Sequence, residues 1–314
     1  MKKLLKSPKS LIPGLLMLTL MMSGFSQADK LKTSASPEAE NIHLASVKAS
    51  VYDIKNESLI YAKNADLVVP IASITKLMTA MVVLDAKLDM SEKLTITRAD
   101  RDALKNTYSR IRFGSKLSRH DLMLIALMSS ENRAASALGR NYPGGIKAFV
   151  AAMNKKAKSL GMSNTHFVDS TGLSQENVST ARDLVKMVTA ASNYEKIQQF
   201  STTPEFVARF SSPRYALNYR NTNLLVRKGS WDINVSKTGY INEAGRCLVM
   251  LSEVGDRKLA MVFLDSFGKR TPVGDANRVK KWIDTGDSGR IAGAALRYER
   301  QEMKKLIASN GKNS

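Results

Sequence analysis

Pro70-Ile71-Ala72-Ser73-Ile74-Thr75-Lys76-Leu77-Met78-Thr79-Ala80 carries a serine and a lysine three residues apart, where an extended segment turns into a helix. If the helix starts at Ser73 or just after it, both side chains share one face. The lysine amine then reaches the serine hydroxyl. A serine is a weak nucleophile unless a base stands beside it. A lysine can be that base only when burial or a second cation lowers its pKa. The helix from Ile74 to about Leu84 is apolar on nearly every side, which places it in the centre of a domain. The rest of the chain must therefore supply another cation and a wall that closes the site.

Working outward, Val47 to Ile54 and Ser58 to Lys63 are β-rich and flank the turn Lys55-Asn56-Glu57, which predicts a hairpin. Lys93 to Thr97 reads as a short strand, while Arg98 to Phe113 is polar and fits no period. Ser118 with Asp121, and Thr180 with Asp183, resemble capping boxes opening helices to Met128 and about Ala191. Ser129 to Asn132 breaks the first of these, and Arg133 to Arg140 resumes helical patterning. Ile146 to Leu160 is an amphipathic helix stopped by Gly161. Asn164 to Asn177 has loop chemistry. After Pro204 the pattern turns to β, with Asn221-Thr222-Asn223 as a turn and Val235 to Tyr240 as a short strand. Arg246 to Glu253 and Leu259 to Asp265 then form a hairpin about Val254-Gly255-Asp256-Arg257. Ala276 to Ile283 and the basic stretch Ala292 to Ala308 read as helices, the last as a loosely attached surface helix. Strands at both ends with helices between imply one sheet whose edges are far apart in sequence, with a helical insertion over about 70–200.

The 314 residues suffice for one large domain or two smaller ones. Lys2, Lys3, Lys6 and Lys9 precede an apolar run, Leu11 to Met22, and the small-residue site Ser26-Gln27-Ala28. That is the pattern of a cleavable export signal, residues 1–28, cut after Ala28. Residues 29–41 then read as a flexible leader, 42–288 as the catalytic domain and 289–314 as a basic helical tail. Cys247 is the single cysteine, so no internal disulfide forms, and it reads as a small buried strand residue. Four of the +20 charges fall in the signal, leaving +16. The cations are dispersed, which suits attraction to an acidic envelope polymer rather than nucleic acid. Membrane association is at most peripheral, because the apolar face of the tail is weak.

S-x-x-K alone says little, since it recurs at Ser266–Lys269 and Ser309–Lys312. The first copy gains weight from Ser130-Glu131-Asn132, the one S-x-N, at a break between helices. It gains more from Lys237-Thr238-Gly239, the one K-T-G, on a predicted strand. Singly, Lys237 reads as a solvated strand lysine, Ser130 as a helix cap and Asn132 as a turn residue. In that order together they are the signature set of serine penicillin-binding proteins and β-lactamases. The roles fit. Ser73 attacks a carbonyl, Lys76 takes its proton, and Lys237 is the cation that lowers the Lys76 pKa. Ser130 passes a proton to the leaving nitrogen. Asn132 and Thr238 hold the substrate, and Gly239 lets a substrate strand approach the sheet edge. The backbone N–H groups of Ser73 and Tyr240 form the oxyanion hole. Neither the three histidines, His43, His120 and His166, nor any cysteine pair suggests a rival triad or a metal site.

Across about residues 47–285 the chain resembles the low-molecular-mass penicillin-binding proteins of the D-alanyl-D-alanine peptidase group, endopeptidase type. The resemblance rests on residues 70–85, on Leu127-Met128-Ser129-Ser130-Glu131-Asn132-Arg133-Ala134-Ala135, and on Tyr142-Pro143-Gly144-Gly145. It also rests on Ser179-Thr180-Ala181-Arg182-Asp183 and Lys237-Thr238-Gly239-Tyr240. It implies an α/β fold, in an α+β arrangement: a five-stranded antiparallel sheet flanked by helices, with an all-helical subdomain. It implies a periplasmic enzyme that cuts D-alanyl–diaminopimelate cross-links of peptidoglycan through an acyl-enzyme on Ser73. β-Lactams would acylate the same serine, and no cofactor is implied. Carboxypeptidase action is the nearest alternative; a β-lactamase and a non-catalytic peptidoglycan-binding protein are the remote ones. The resemblance also implies a basic residue on the last strand that helps bind the substrate carboxylate, and here Lys269 and Arg270 both qualify. The glutamate a β-lactamase needs has only Glu176 as a candidate.

Overall fold

The computed structural model describes residues 41–310. The segment read as a signal, most of the leader and the end of the tail lie outside those residues. β1 (Lys48–Asp53) and β2 (Ser58–Lys63) form the hairpin expected from their patterning. Its turn is fastened by the Asp53 carboxylate, which accepts the N–H groups of Lys55 and Asn56.

The chain then leaves this sheet. It makes the short strand β3 (Val69–Pro70), the helix α1 (Thr75–Asp85), and the strands β4 (Lys93–Thr95) and β5 (Lys116–Ser118). Four more helices follow, with one short strand among them: α2 (Arg119–Met128), α3 (Asn132–Arg140), α4 (Gly145–Ser159), β6 (Val178–Ser179) and α5 (Ala181–Ala191). Next come α6 (Glu195–Ser201), the hairpin β7 (Glu205–Ser211) and β8 (Arg214–Arg220), and α7 (Leu224–Lys228). It returns to the sheet with β9 (Asp232–Ile241), β10 (Gly245–Val254) and β11 (Arg257–Ser266), and ends in α8 (Thr271–Thr285) and α9 (Gly293–Asn310). The main sheet is antiparallel in the order β2-β1-β11-β10-β9, so β1 pairs with a strand some two hundred residues later.

β10 and β11 are apolar without alternation because both faces of the sheet are covered. On one side Leu248, Met250, Met261 and Phe263 pack with Ala276, Val279 and Trp282 of α8. Each fully buried side chain of this size contributes roughly 1.5–3 kcal/mol. On the other side α5 packs against β1, β10 and β11, and α1 runs through the middle of the helical part, touching α2 to α6. α1 is buried from Thr75 through Val83, which explains its lack of a polar face.

Four details differ from the sequence reading. Residues 205–220 are strands, but they form their own ribbon, since period two cannot name a partner. β9 spans ten residues rather than six. α8 begins at Thr271, ahead of Ala276, because Pro272 is tolerated in a first turn. The tail helix is not loosely attached. Tyr298 donates to Asp265 at 2.6 Å, and Glu299 pairs with Lys63 at 2.8 Å. Asp265 in turn meets the buried Lys48 at 2.6 Å. α9 is thus fastened by polar contacts to the β1–β11 end of the sheet. Among the described residues no helix is long and apolar enough to cross a membrane.

Candidate active site

β9 is one of the two edge strands of the sheet, and it packs against the turn that carries Ser73. Residues Ala72–Ile74 form a single 3-10 turn at the head of α1. Ala72 is fully buried with φ +48°, a left-handed conformation that alanine adopts only under constraint. Two glycines make the room. A Cβ on Gly239 would stand 3.0 Å from Ile71 O and 3.2 Å from Ser73 N. One on Gly172, where φ is +80°, would stand 1.9 Å from Ala72 O. Gly239 therefore admits the nucleophile's own turn, whereas the sequence reading had it admit a substrate strand. The loop bearing Gly172 is shaped by Asp169, whose carboxylate accepts N–H bonds from Thr171, Gly172 and Ser174.

Ser73 and Lys76 meet as their spacing predicts, Nζ to Oγ at 2.7 Å. Lys76 Nζ also lies 2.8 Å from Asn132 Oδ1 and 2.6 Å from Thr171 O. The side chain is 1% exposed. A neutral amine fits this set completely: two N–H bonds go to Asn132 Oδ1 and Thr171 O, and the lone pair accepts the Ser73 hydroxyl proton. Burial lowers the Lys76 pKa to about 7, against the pull of the Asp169, Glu131 and Asp102 carboxylates.

Ser130 sits between α2 and α3 at φ +63°. Lys237, also buried, reaches over from β9 and donates to Ser130 Oγ at 2.9 Å and to Thr238 O at 2.8 Å. Its pKa is lowered by burial first and by the charge of Lys76 second. Burial is the largest cause of both depressed pKa values, and the two amines, which cannot both be charged without repelling each other, add to it.

A cleft of about 560 Å³ opens from these groups. Ser73, Ser130, Asn132, Thr238, Gly239 and Tyr240 are among the residues that line it, as are Lys269 and Arg270. Thr238 Oγ1 bonds Thr222 at 2.6 Å. The Tyr240 ring is half exposed beneath the Arg246 guanidinium. Glu176 is exposed and does not line the cleft, so the geometry gives no support to a deacylating glutamate there. No histidine lines it either. Ser266 is bonded to Ser46 instead of to Lys269, and the side chains of the Ser309–Lys312 pair lie outside the description. Among the described residues no cluster of metal-binding side chains occurs.

Several site residues were missed in the sequence. Thr171 contributes a carbonyl, which no side-chain motif reveals. Asp169 acts through backbone N–H groups. Thr107 accepts a hydrogen bond from Asn132 Nδ2 at 3.0 Å, from the stretch that fits no period. That stretch is tied down locally by Asp102, and to the turn after β9 by the ion pair of Lys105 with Glu243 at 2.5 Å.

A family model described as D-alanyl-D-alanine carboxypeptidase matches residues 32–268. The chain is 49% identical over 297 residues to a D-alanyl-D-alanine endopeptidase of Escherichia coli strain K12, covering 94% of this chain and 96% of that protein. It is 48% identical over 290 residues to a D-alanyl-D-alanine endopeptidase of Pseudomonas aeruginosa, covering 91% and 94%. Among solved structures it is similar to penicillin-binding protein D2 of Listeria monocytogenes in its ampicillin-bound form. There the TM-score is 0.66 and the identity 32%, covering 78% of this chain and 98% of that one.

Proposed function

Since the chain belongs to the D-alanyl-D-alanine carboxypeptidase family of serine peptidases, we propose that it is a periplasmic DD-endopeptidase hydrolysing D-alanyl–diaminopimelate cross-links of peptidoglycan. The observation that carries the hydrolytic reading is the pair of buried amines, each bonded to a serine hydroxyl: Lys76 to Ser73 and Lys237 to Ser130. The endopeptidase reading leans on the two relatives that carry that name along nearly their whole length.

In the proposed reaction Ser73 Oγ attacks the D-alanyl carbonyl while Lys76 removes its proton. The backbone N–H groups of Ser73 and Tyr240 receive the developing oxyanion, a contribution worth several kcal/mol in comparable sites. Lys76 passes that proton on through Ser130, whose hydroxyl Lys237 holds, to the departing diaminopimelate nitrogen; the C–N bond breaks and Lys76 is neutral again. Asn132, Thr238 and Gly239 line the path of the stem peptide. Water then attacks the acyl-enzyme, Lys76 taking its proton and returning it to Ser73 Oγ as the ester bond breaks. A β-lactam would enter the same step and stay, because its leaving nitrogen remains tethered. An export signal at residues 1–28 would place the enzyme beside its polymer.

The test is a digest of purified protein with cross-linked muropeptide dimers, run beside fluorescent penicillin labelling. Monomers should accumulate and the protein should be labelled. Intact dimers with free D-alanine released from a monomeric pentapeptide would favour the carboxypeptidase reading, which the family description favours. Intact dimers and no label would leave a binding protein.

Thr107→Val tests the support of Asn132. Without the hydroxyl the amide loses one of its two fixed partners. Penicillin acylation should slow about five-fold, the equivalent of one ordinary hydrogen bond. Thr107→Ser should restore it; a Val variant as fast as wild type would remove Thr107 from the account.

A further inference from the structure

Five cationic residues line the cleft that Ser73 also lines, namely Arg220, Arg227, Arg246, Lys269 and Arg270, and no acidic residue lines it. Two of them are already engaged. Arg220 pairs with Glu205 at 3.0 Å, and Arg227 donates to the Asn221 carbonyl. The side chains of Arg246, Lys269 and Arg270 have no ion pair or hydrogen bond among the described residues. The cleft therefore presents three uncommitted cations to whatever enters it.

A departing D-alanine brings one carboxylate, for which Lys269 or Arg270 is enough. The departing strand of a cross-link brings more. It has a carboxylate beside the scissile nitrogen, and others further along the stem at its glutamate residue and its end. The second cation must then be held at a fixed place, and Arg246 is the one so held. It faces Tyr240 across the β9–β10 ladder, and its guanidinium carbon lies 3.7 Å from the ring centroid. Stacking occupies the face of the guanidinium and leaves its edge donors free for a bidentate carboxylate. It also fixes the long side chain in advance, so less freedom is lost on binding.

We propose that Arg246, stacked on Tyr240, is a specificity-determining residue that binds a second carboxylate of the cross-linked substrate, one that the leaving group of a monomeric pentapeptide lacks. The inference rests on the endopeptidase reading above. It predicts that Arg246→Gln lowers the ratio of kcat/KM for a cross-linked dimer to kcat/KM for D-alanine release from a pentapeptide. The expected drop is at least ten-fold, the size of one charge-assisted pair, and it should appear in KM. Active sites counted by penicillin titration correct for any unfolded fraction. A second measurement needs no variant: raising the salt concentration should increase the wild-type KM for the dimer more steeply than that for the pentapeptide. An unchanged ratio in Arg246→Gln, or an equal loss on both substrates, overturns the proposal while leaving the endopeptidase reading intact. Wild-type protein that releases D-alanine but leaves dimers whole overturns that reading, and this inference with it.

Discussion

Gly172→Ala is expected to unfold the protein more easily and to abolish its acylation by penicillin. The added Cβ would stand 1.9 Å from Ala72 O and 2.4 Å from Ala72 C. Neither atom can retreat. They belong to a buried turn already in a left-handed conformation, and the turn carries Ser73. On the other side, the Asp169 carboxylate holds the Thr171–Ser174 backbone by three N–H bonds. Overpacking a core commonly costs about 1–3 kcal/mol, and a left-handed alanine adds roughly 1–2 kcal/mol. A loss of about 3 kcal/mol or more should appear as a lower urea midpoint. The acylation rate should fall because whatever relief the structure finds must move Ser73 or the Thr171 carbonyl. Gly255→Ala is the comparison. That glycine has φ +58° but its nearest neighbour, Ile283 Cγ2, would be 3.8 Å away. It should lose only the conformational part, about 1–2 kcal/mol, and keep the acylation rate. If the two variants behave alike in both measurements, the packed turn is not what holds Ser73.

Gly172 also marks the limit of what the sequence discloses. In residues 164–177 a glycine after a threonine looks like any turn residue. Its necessity comes from Ala72, a hundred positions earlier, and only the fold brings the two together. Ser73 and Lys76 were legible because three residues on one helix need no tertiary information to meet. Ser130, Asn132 and Lys237 were legible through their order, and their roles follow from a motif set, whereas their spatial partners Thr107 and Thr171 follow from nothing local. The sheet behaved in the same way. Residues 246–253 and 259–265 are apolar on both faces, which defines central strands. Residues 205–220 alternate well enough to be strands, but alternation is silent about which ladder they join. The tail helix was misjudged because it is secured through Tyr298 and Glu299, polar residues that leave no apolar stripe to read.

Acylation of Ser73 is expected to rise about ten-fold per pH unit below about 7 and to level off above it, and Lys76→Met should lower the plateau by about a thousand-fold. The sign follows from the neutral amine. Burial brings its pKa from 10.5 to about 7, so at lower pH the lone pair that accepts the Ser73 proton is itself protonated. The same shift acts on stability. Between about 7 and 10.5 the unfolded chain binds a proton at this lysine that the folded chain has lost. Stability must then increase with pH through that window, by at most ~1.4 kcal/mol per unit from this group. Below about 7 both states carry the proton and the slope from Lys76 vanishes. Lys237, lowered by burial and by Lys76, adds to the rise. Lys76→Met removes one of the two contributions, so urea midpoints at pH 7.5 and 9.5 should differ less in the variant than in wild type. A wild-type acylation rate independent of pH from 5 to 9, together with an unchanged stability slope in the variant, would mean that Lys76 stays charged in the folded enzyme. Its lone pair would then be unavailable, and the proton of Ser73 would need another acceptor.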